Sequence, residues 1–142
     1  MPVVCLSLGS NLGHRASFLS LSTHLISTKI GQLRSLSSII ETEAVGFETY
    51  PFLNQVVSVE TELSPLQLLD KLQIIEKELG RTQKTVQIEG NPLYHDRTMD
   101  IDILLYDDIV LQSEKLTIPH PHLQERAFFI DLLNTLPHPS MD

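Results

Sequence analysis

Two acids inside an otherwise apolar run limit what Arg97-Thr98-Met99-Asp100-Ile101-Asp102-Ile103-Leu104-Leu105 can become. As a strand, its period of two puts Asp100 and Asp102 on one face and Ile101, Ile103 and Leu105 on the other. Their Cα atoms would lie roughly 7 Å apart. Two carboxylates at that distance repel by about 2 to 3 kcal/mol at an effective dielectric near 20. Arg97 alone can offset this, but hard oxygen ligands at this spacing also suit Mg²⁺, with phosphate oxygens completing the shell. A solvated acidic strand face is the plain alternative. It is disfavoured because Asp is depleted in strands.

The rest of the chain sets bounds on that reading. Its 142 residues fit one domain, 1–142, large enough to bury a core without staples. No run approaches the apolar length of a membrane span, and residues 1 to 12 lack the basic start of a signal peptide, so a soluble cytoplasmic protein is expected. Cys5 is the one cysteine, in an apolar run, and reads as a buried, inert thiol. A formal charge of −8 disfavours nucleic acid or an anionic membrane as the main partner. An anionic ligand must therefore meet local cations or metal. Arg81, Lys84, Arg97, Lys115 and Arg126 all fall in the second half.

Residues 3 to 8 form a short apolar strand ending at Gly9-Ser10-Asn11-Leu12-Gly13. A helix over 15 to 28 follows, with Phe18, Leu21 and Leu25 on one stripe and Gly31 just past its end. Residues 33 to 42 alternate weakly as a second strand. Residues 52 to 62 alternate cleanly: Leu53, Val57 and Val59 face one way, and Phe52, Asn54, Ser58 and Glu60 the other. Ser64-Pro65-Leu66-Gln67 carries a capping box and a proline in the first turn, opening a helix through Leu68, Leu69, Leu72, Ile75 and Leu79 that Gly80 ends. A long polar loop over 81 to 98 precedes the Asp-containing strand, and loops of that length are usually functional or disordered. Asp107-Asp108 makes a turn, 109 to 116 is short extended structure, and 123 to 136 is the last helix. The order is that of an α+β, ferredoxin-like βαββαβ sandwich with an additional short hairpin and a C-terminal helix. Helices covering one face would leave the other free for a ligand.

On that free face Asp100 and Asp102 would join Phe52 and Asn54, a setting for a flat, hydrogen-bonding ligand that carries or receives phosphate. The glycine-rich turn at 9 to 13 fits neither a P-loop nor a dinucleotide fingerprint. It reads equally as ligand contact or as a tight turn with a capping Ser or Asn. Pro119-His120-Pro121-His122, with Arg126 and Phe128-Phe129, forms a third constellation. His120 and His122 lack the closed ligand set of a zinc site, whereas His120 beside Arg126 suits phosphate. At most one of Phe128 and Phe129 can face the open site.

Taken in order, several blocks together resemble the 6-hydroxymethyl-7,8-dihydropterin pyrophosphokinase family of folate biosynthesis. They are Leu8-Gly9-Ser10-Asn11-Leu12, Phe52-Leu53-Asn54, Glu76 with Gly80-Arg81, the 97 to 103 block, Leu116-Thr117-Ile118-Pro119-His120 and Arg126-Ala127-Phe128. The resemblance implies a ferredoxin-like fold and an ATP- and Mg²⁺-dependent diphosphokinase that acts on the pterin hydroxymethyl group and releases AMP. It implies that Asp100 and Asp102 ligate two Mg²⁺ ions, and that Arg97, His120 and Arg126 contact phosphate and serve catalysis with them. Gln73, Glu76, Arg81, Lys84, Tyr94, Ile103, Lys115, Thr117 and His120 would hold nucleotide. The pterin would stack between Phe52 and Phe128, bonded by Asn54 and near Thr42 and Val45, with Gly9, Ser10 and Asn11 supporting that end. A monomer is expected, with ATP and the pterin as its small-molecule partners.

The chain departs from the family pattern at several positions. His95-Asp96 stands where Gly-Pro usually precedes Arg97, Gln83 replaces a common Arg, Glu43-Ala44 replaces Pro-Pro, and Phe52 replaces a frequent Tyr. The metal pair and stacking rings are retained. Closure of the 81 to 98 loop over bound ligands is a further expectation. Two readings from other classes compete. One is a metal-dependent hydrolase built on His120, His122, Asp100 and Asp102. The other is a non-enzymatic ferredoxin-like ligand-binding module.

Overall fold

The first apolar run alternates strictly: Val4, Leu6 and Leu8 enter the main core, while Cys5, Ser7 and Gly9 take the opposite face. The computed structural model describes residues 1–42, 51–80, 99–121, 123 and 127–136. Along the chain these form β1 (Val3–Ser10), α1 (Arg15–Lys29), β2 (Gly31–Leu36), β3 (Ile40–Thr42), β4 (Phe52–Thr61) and α2 (Pro65–Glu78). They continue through β5 (Asp100–Tyr106), β6 (Leu111–Gln112), β7 (Thr117–Ile118) and α3 (Ala127–Thr135). The expected loop over 81 to 98 lies outside the described residues.

The main sheet runs β2-β4-β1-β5, with β3 also beside β4 and every pairing antiparallel. β1, α1, β2, β4, α2 and β5 therefore make the ferredoxin-like sandwich that the sequence implied, with β6 and β7 as the extra hairpin. α1 and α2 pack Leu19, Ile26, Leu68, Leu72 and Ile75 onto Val4, Leu6, Leu8, Val57, Val59, Ile101 and Ile103. The capping box is present: Ser64 Oγ accepts from Gln67 N at 3.3 Å, and Gln67 Oε1 accepts from Ser64 N at 3.0 Å. Such a cap contributes about 1 kcal/mol.

Four expectations need correction. Residues 33 to 42 are two strands rather than one, because Ser37 interrupts the ladder. Its N–H bonds Val56 O and its Oγ accepts from Val56 N, both at 2.8 Å, while its carbonyl takes Gln55 Nε2 at 2.9 Å. The buried stripe of α1 is Leu19, Ser22 and Ile26, flanked by Phe18 and Leu25, and Leu21 is exposed. Ser22 can sit beneath the core because its hydroxyl bonds Phe18 O at 2.8 Å. Gly31 lies just past the α1 cap, Ile30, as expected, and begins β2.

The remaining two corrections concern the sheet's second face. β5 shifts register opposite Cys5 and Leu6, which pair with Leu105 and Ile103, so Leu104 is the extra residue. Leu105 thereby leaves the Ile101 and Ile103 side and joins Leu104, Val56 and Cys5. That second face is not left wholly open. Residues Leu123, Ile130, Leu132, Leu133 and Leu136 of the α3 region cover its apolar half, packing on Val56 and Leu104. The polar half remains for a site.

Candidate active site

Register across three strands builds that polar half. Gly9 of β1 pairs with Asn54 of β4 on one side and with Asp100 of β5 on the other; one step along, Ser7 pairs with Val56 and Asp102. Residues paired in this way share a face, so an amide and two carboxylates look out from one surface. Two strand spacings separate Asn54 from Asp100, roughly 10 Å. Between them stands a residue without a side chain. A Cβ on Gly9 would come within 3.3 Å of Asn54 Oδ1 and 3.4 Å of Phe52 Cδ1, so glycine keeps the floor between ring, amide and acid clear.

Asn54 is held from behind. Its Nδ2 donates to Thr42 Oγ1 at 2.6 Å across the β3·β4 pairing, which leaves Oδ1 as the acceptor beside Gly9. Phe52 is half-buried at the start of β4, paired with Thr42. Ser10 is fully buried, and its Oγ has no hydrogen-bond partner among the described residues. The capped-turn reading of residues 9 to 13 does not hold. α1 has His14 at its N-cap with no side-chain cap, and the turn is made by Gly13 at φ +75°.

A second concavity, of about 280 Å³, lies along β5 where α2 and the 111–121 hairpin region meet. Its walls include Asp102, Ile103, Lys115, Thr117 and His120, five residues singled out in the sequence as site candidates, together with Leu69 and Leu116, read there as helix and family-block positions, and Glu114, which was not named. The expected extended run over 109 to 116 is a turn at 113 to 116 between β6 and β7. Ser113 shapes the turn: its N–H and Oγ donate to Leu116 O at 3.0 and 2.9 Å. His120 is fastened to the bulged strand by its N–H, 2.9 Å from Leu104 O.

Glu76 stands beneath the acid pair. It is buried, and its Oε2 accepts from Ile101 N, between Asp100 and Asp102, at 2.8 Å. Gln73, one turn earlier on α2, is exposed. Val45, Arg81, Lys84, Tyr94, Arg97, His122 and Arg126 lie outside the described residues, as does the Phe128 side chain.

The acid pair fits Mg²⁺. Asp100 and Asp102 are half-buried, share a face, and look out over Gly9 and Ser7, whose side chains are too small to fill the space. Mg²⁺ takes one or two carboxylates and completes its shell with water and phosphate, whereas a structural transition-metal site needs a fuller protein set. Among the described residues, no three His, Cys, Asp or Glu side chains form such a set. No helix among them is long and apolar enough to cross a membrane.

Comparison with known proteins gives the family. A family model described as 7,8-dihydro-6-hydroxymethylpterin-pyrophosphokinase matches residues 5–138. A 2-amino-4-hydroxy-6-hydroxymethyldihydropteridine pyrophosphokinase of Porphyromonas gingivalis is 48% identical over 130 residues, covering 90% of this chain and 86% of the relative. The Bacillus subtilis protein of the same name is 38% identical over 130 residues, covering 90% and 74%. In fold, the chain is similar to a Plasmodium falciparum HPPK-DHPS crystal structure with pterin and p-hydrobenzoate, at a TM-score of 0.71 and 16% identity. That match covers 95% of this chain and 40% of the other. With its sheet built around the Asn54, Gly9 and Asp100 row and its family pattern matched from residue 5 to residue 138, this chain belongs to the 7,8-dihydro-6-hydroxymethylpterin-pyrophosphokinase family.

Proposed function

We infer that this chain transfers the terminal diphosphate of ATP to the hydroxymethyl group of 6-hydroxymethyl-7,8-dihydropterin, a step of folate biosynthesis, and releases AMP. The observation that carries the reading is the row of Asn54, Gly9 and Asp100 in a chain of this family. It sets a hydrogen-bond acceptor for a ring edge and an acid pair for phosphate about one bicyclic ring apart on one face. Neither the hydrolase reading nor the non-enzymatic module draws support from the family.

In this reading Phe52 and Phe128 sandwich the pterin. Asn54 Oδ1 accepts from its ring-edge N–H donors, while Thr42, Val45, Gly9, Ser10 and Asn11 shape that end. Gln73, Glu76, Arg81, Lys84, Tyr94, Ile103, Lys115, Thr117 and His120 hold nucleotide; of these, Ile103, Lys115, Thr117 and His120 line the 280 Å³ cleft. Asp100 and Asp102 would hold two Mg²⁺ ions, which when bound neutralise phosphate charge and orient the chain for in-line displacement. Arg97, His120 and Arg126 contact the phosphates.

The pterin hydroxyl oxygen bonds the β-phosphorus as the bond from that phosphorus to the bridging α-oxygen breaks. AMP leaves with that electron pair, and the hydroxyl proton passes to solvent. Alignment and charge neutralisation supply most of the acceleration, since no covalent enzyme intermediate is needed. The reading is completed by a single domain over 1–142 acting as a cytoplasmic monomer.

The test is incubation with ATP, Mg²⁺ and the hydroxymethyl dihydropterin, with the nucleotides then separated. AMP and pterin diphosphate are expected in equal amounts, and none without Mg²⁺. ADP as the main product, or no turnover by folded protein, overturns the reading.

A further inference from the structure

We infer that Arg15 is a positioning residue for the pterin end of the site, holding Glu41 and Pro51 so that their neighbours Thr42 and Phe52 stay paired. The inference takes the identity of the ligand from the diphosphokinase reading. Arg15 opens α1, yet its side chain reaches out of the helix. Nη1 donates to Pro51 O at 2.7 Å and lies 2.9 Å from Glu41 Oε2. A guanidinium η-nitrogen carries two hydrogens, so both bonds form at once. One atom of α1 therefore ties β3 to the residue before β4.

What it ties matters more than how strongly. Glu41 precedes Thr42, and Pro51 precedes Phe52. Thr42 and Phe52 are themselves a register pair in a ladder where β3 contributes three residues and lies off the main strand path. Thr42 Oγ1 is in turn the partner of Asn54 Nδ2. If this end of the ladder parts, the ring of Phe52 and the amide of Asn54 lose their fixed places together. Among the described residues the β3 ladder has three pairs, which supply little to prevent that, and the Arg15 contacts flank the Thr42 and Phe52 pair.

The glycine-rich turn explains how Arg15 arrives there. Gly13 at φ +75° reverses the chain after β1, and Arg15 N bonds Gly13 O at 2.9 Å. A Cβ on Gly13 would stand 3.2 Å from Phe18 Cε2, which favours glycine a second time. The Arg15 and Glu41 side chains are 28% and 54% exposed, so their ion pair adds little to global stability. Its effect is local order at the mouth of the ligand site.

Full-length wild type, Arg15→Ala, Arg15→Lys, Glu41→Ala and the Arg15→Ala/Glu41→Ala double variant decide the matter. Binding of the hydroxymethyl dihydropterin is titrated in the presence of Mg²⁺ and α,β-methylene ATP. Binding of that analogue alone, steady-state rates and melting temperatures are measured beside it. Arg15→Ala should raise the pterin Kd and KM on the order of tenfold, with kcat and the analogue Kd within about twofold of wild type. Glu41→Ala should move the pterin Kd less, because the Pro51 bond remains. The double variant should be no worse than Arg15→Ala, and Arg15→Lys should recover part of the loss, since an ammonium can serve one partner. An unchanged pterin Kd in Arg15→Ala overturns the inference, as does equal weakening of pterin and analogue with a lowered melting temperature. Wild type that binds pterin but makes no AMP would fail the diphosphokinase reading alone, and the binding series would still judge Arg15. Wild type that binds no pterin overturns both.

Discussion

The Glu76 carboxylate on α2 accepts a hydrogen bond from Ile101 N at 2.8 Å, which anchors β5 between its two aspartates. A buried backbone N–H left without its acceptor costs about 1 to 3 kcal/mol. Glu76→Ala should lose that much in urea melts and lower turnover, because the acid pair loses its support. Glu76→Gln keeps an acceptor and should stay within about 1 kcal/mol of wild type. Equal stability of Glu76→Ala and wild type would show that the bond contributes nothing to the strand.

Gly31 meets β4 at its closest approach. A Cβ there would lie 1.8 Å from Glu60 O and 2.9 Å from the carbonyl carbon, both backbone atoms that cannot swing aside. Gly31→Ala must push β2 from β4 and should destabilise the protein by about 1 to 3 kcal/mol, read by chemical denaturation. A variant as stable as wild type would show that this edge of the sheet adjusts freely.

These two contacts also mark where sequence reasoning stopped. The α2 start was legible because a capping box is a local device, with Ser64 and Gln67 three residues apart. The β4 faces were legible because Leu53, Val57 and Val59 alternate with Phe52 and Asn54, although Gln55 on the first side and Val56 on the second depart from the pattern. The pairing of Asp100 with Asp102 followed from period two alone. Gly31, by contrast, follows a helix and looks like its cap; only the neighbouring strand reveals the steric demand. Leu104 as a bulge and Ser37 as a break depend on bonds to β1 and β4 that no single segment announces. Glu76 stood out through its family block, but its bond to Ile101 N shows only once α2 is set against β5. Arg15 was equally silent, since Glu41 and Pro51 are distant in sequence.

Cys5 shows the chemical consequence of the second core. Burial pushes its thiol up from 9.0 to about 11. The folded protein thus favours the neutral thiol, and the sign follows directly. The stability it supports is complete below the unfolded value and is lost as pH rises from about 9 toward 11, where only the unfolded chain ionises. Tyr106 is also raised, by burial and then by Asp107, so the contribution of Cys5 is isolated by comparison with Cys5→Ala. The stability difference between wild type and Cys5→Ala should shift against wild type across that range. At pH 8 the native thiol should label slowly with a disulfide reagent and rapidly after unfolding. Rapid native labelling would contradict a protonated, packed thiol.

Asp100 and Asp102 should separate function from folding. They are neighbours on one strand face, half-buried and looking out over Gly9 and Ser7, and Asp102 also lines the cleft with His120. Taken by themselves, two carboxylates at that spacing repel by about 2 to 3 kcal/mol at an effective dielectric near 20. A bound divalent ion reverses the sign of the local field. Asp100→Ala and Asp102→Ala should therefore each cut turnover by at least about a hundredfold, because charge neutralisation on the transferring phosphates is lost. Their stability without ligand should hold within about 0.5 kcal/mol or rise. Mg²⁺ should protect wild type against thermal unfolding in the presence of α,β-methylene ATP, and protect either variant much less. Activity assays paired with denaturant melts check all three statements. A loss of several kcal/mol in the variants without ligand would mean that the aspartates act as structural partners of a cation rather than as metal ligands, since removing one half of a buried pair strands the other.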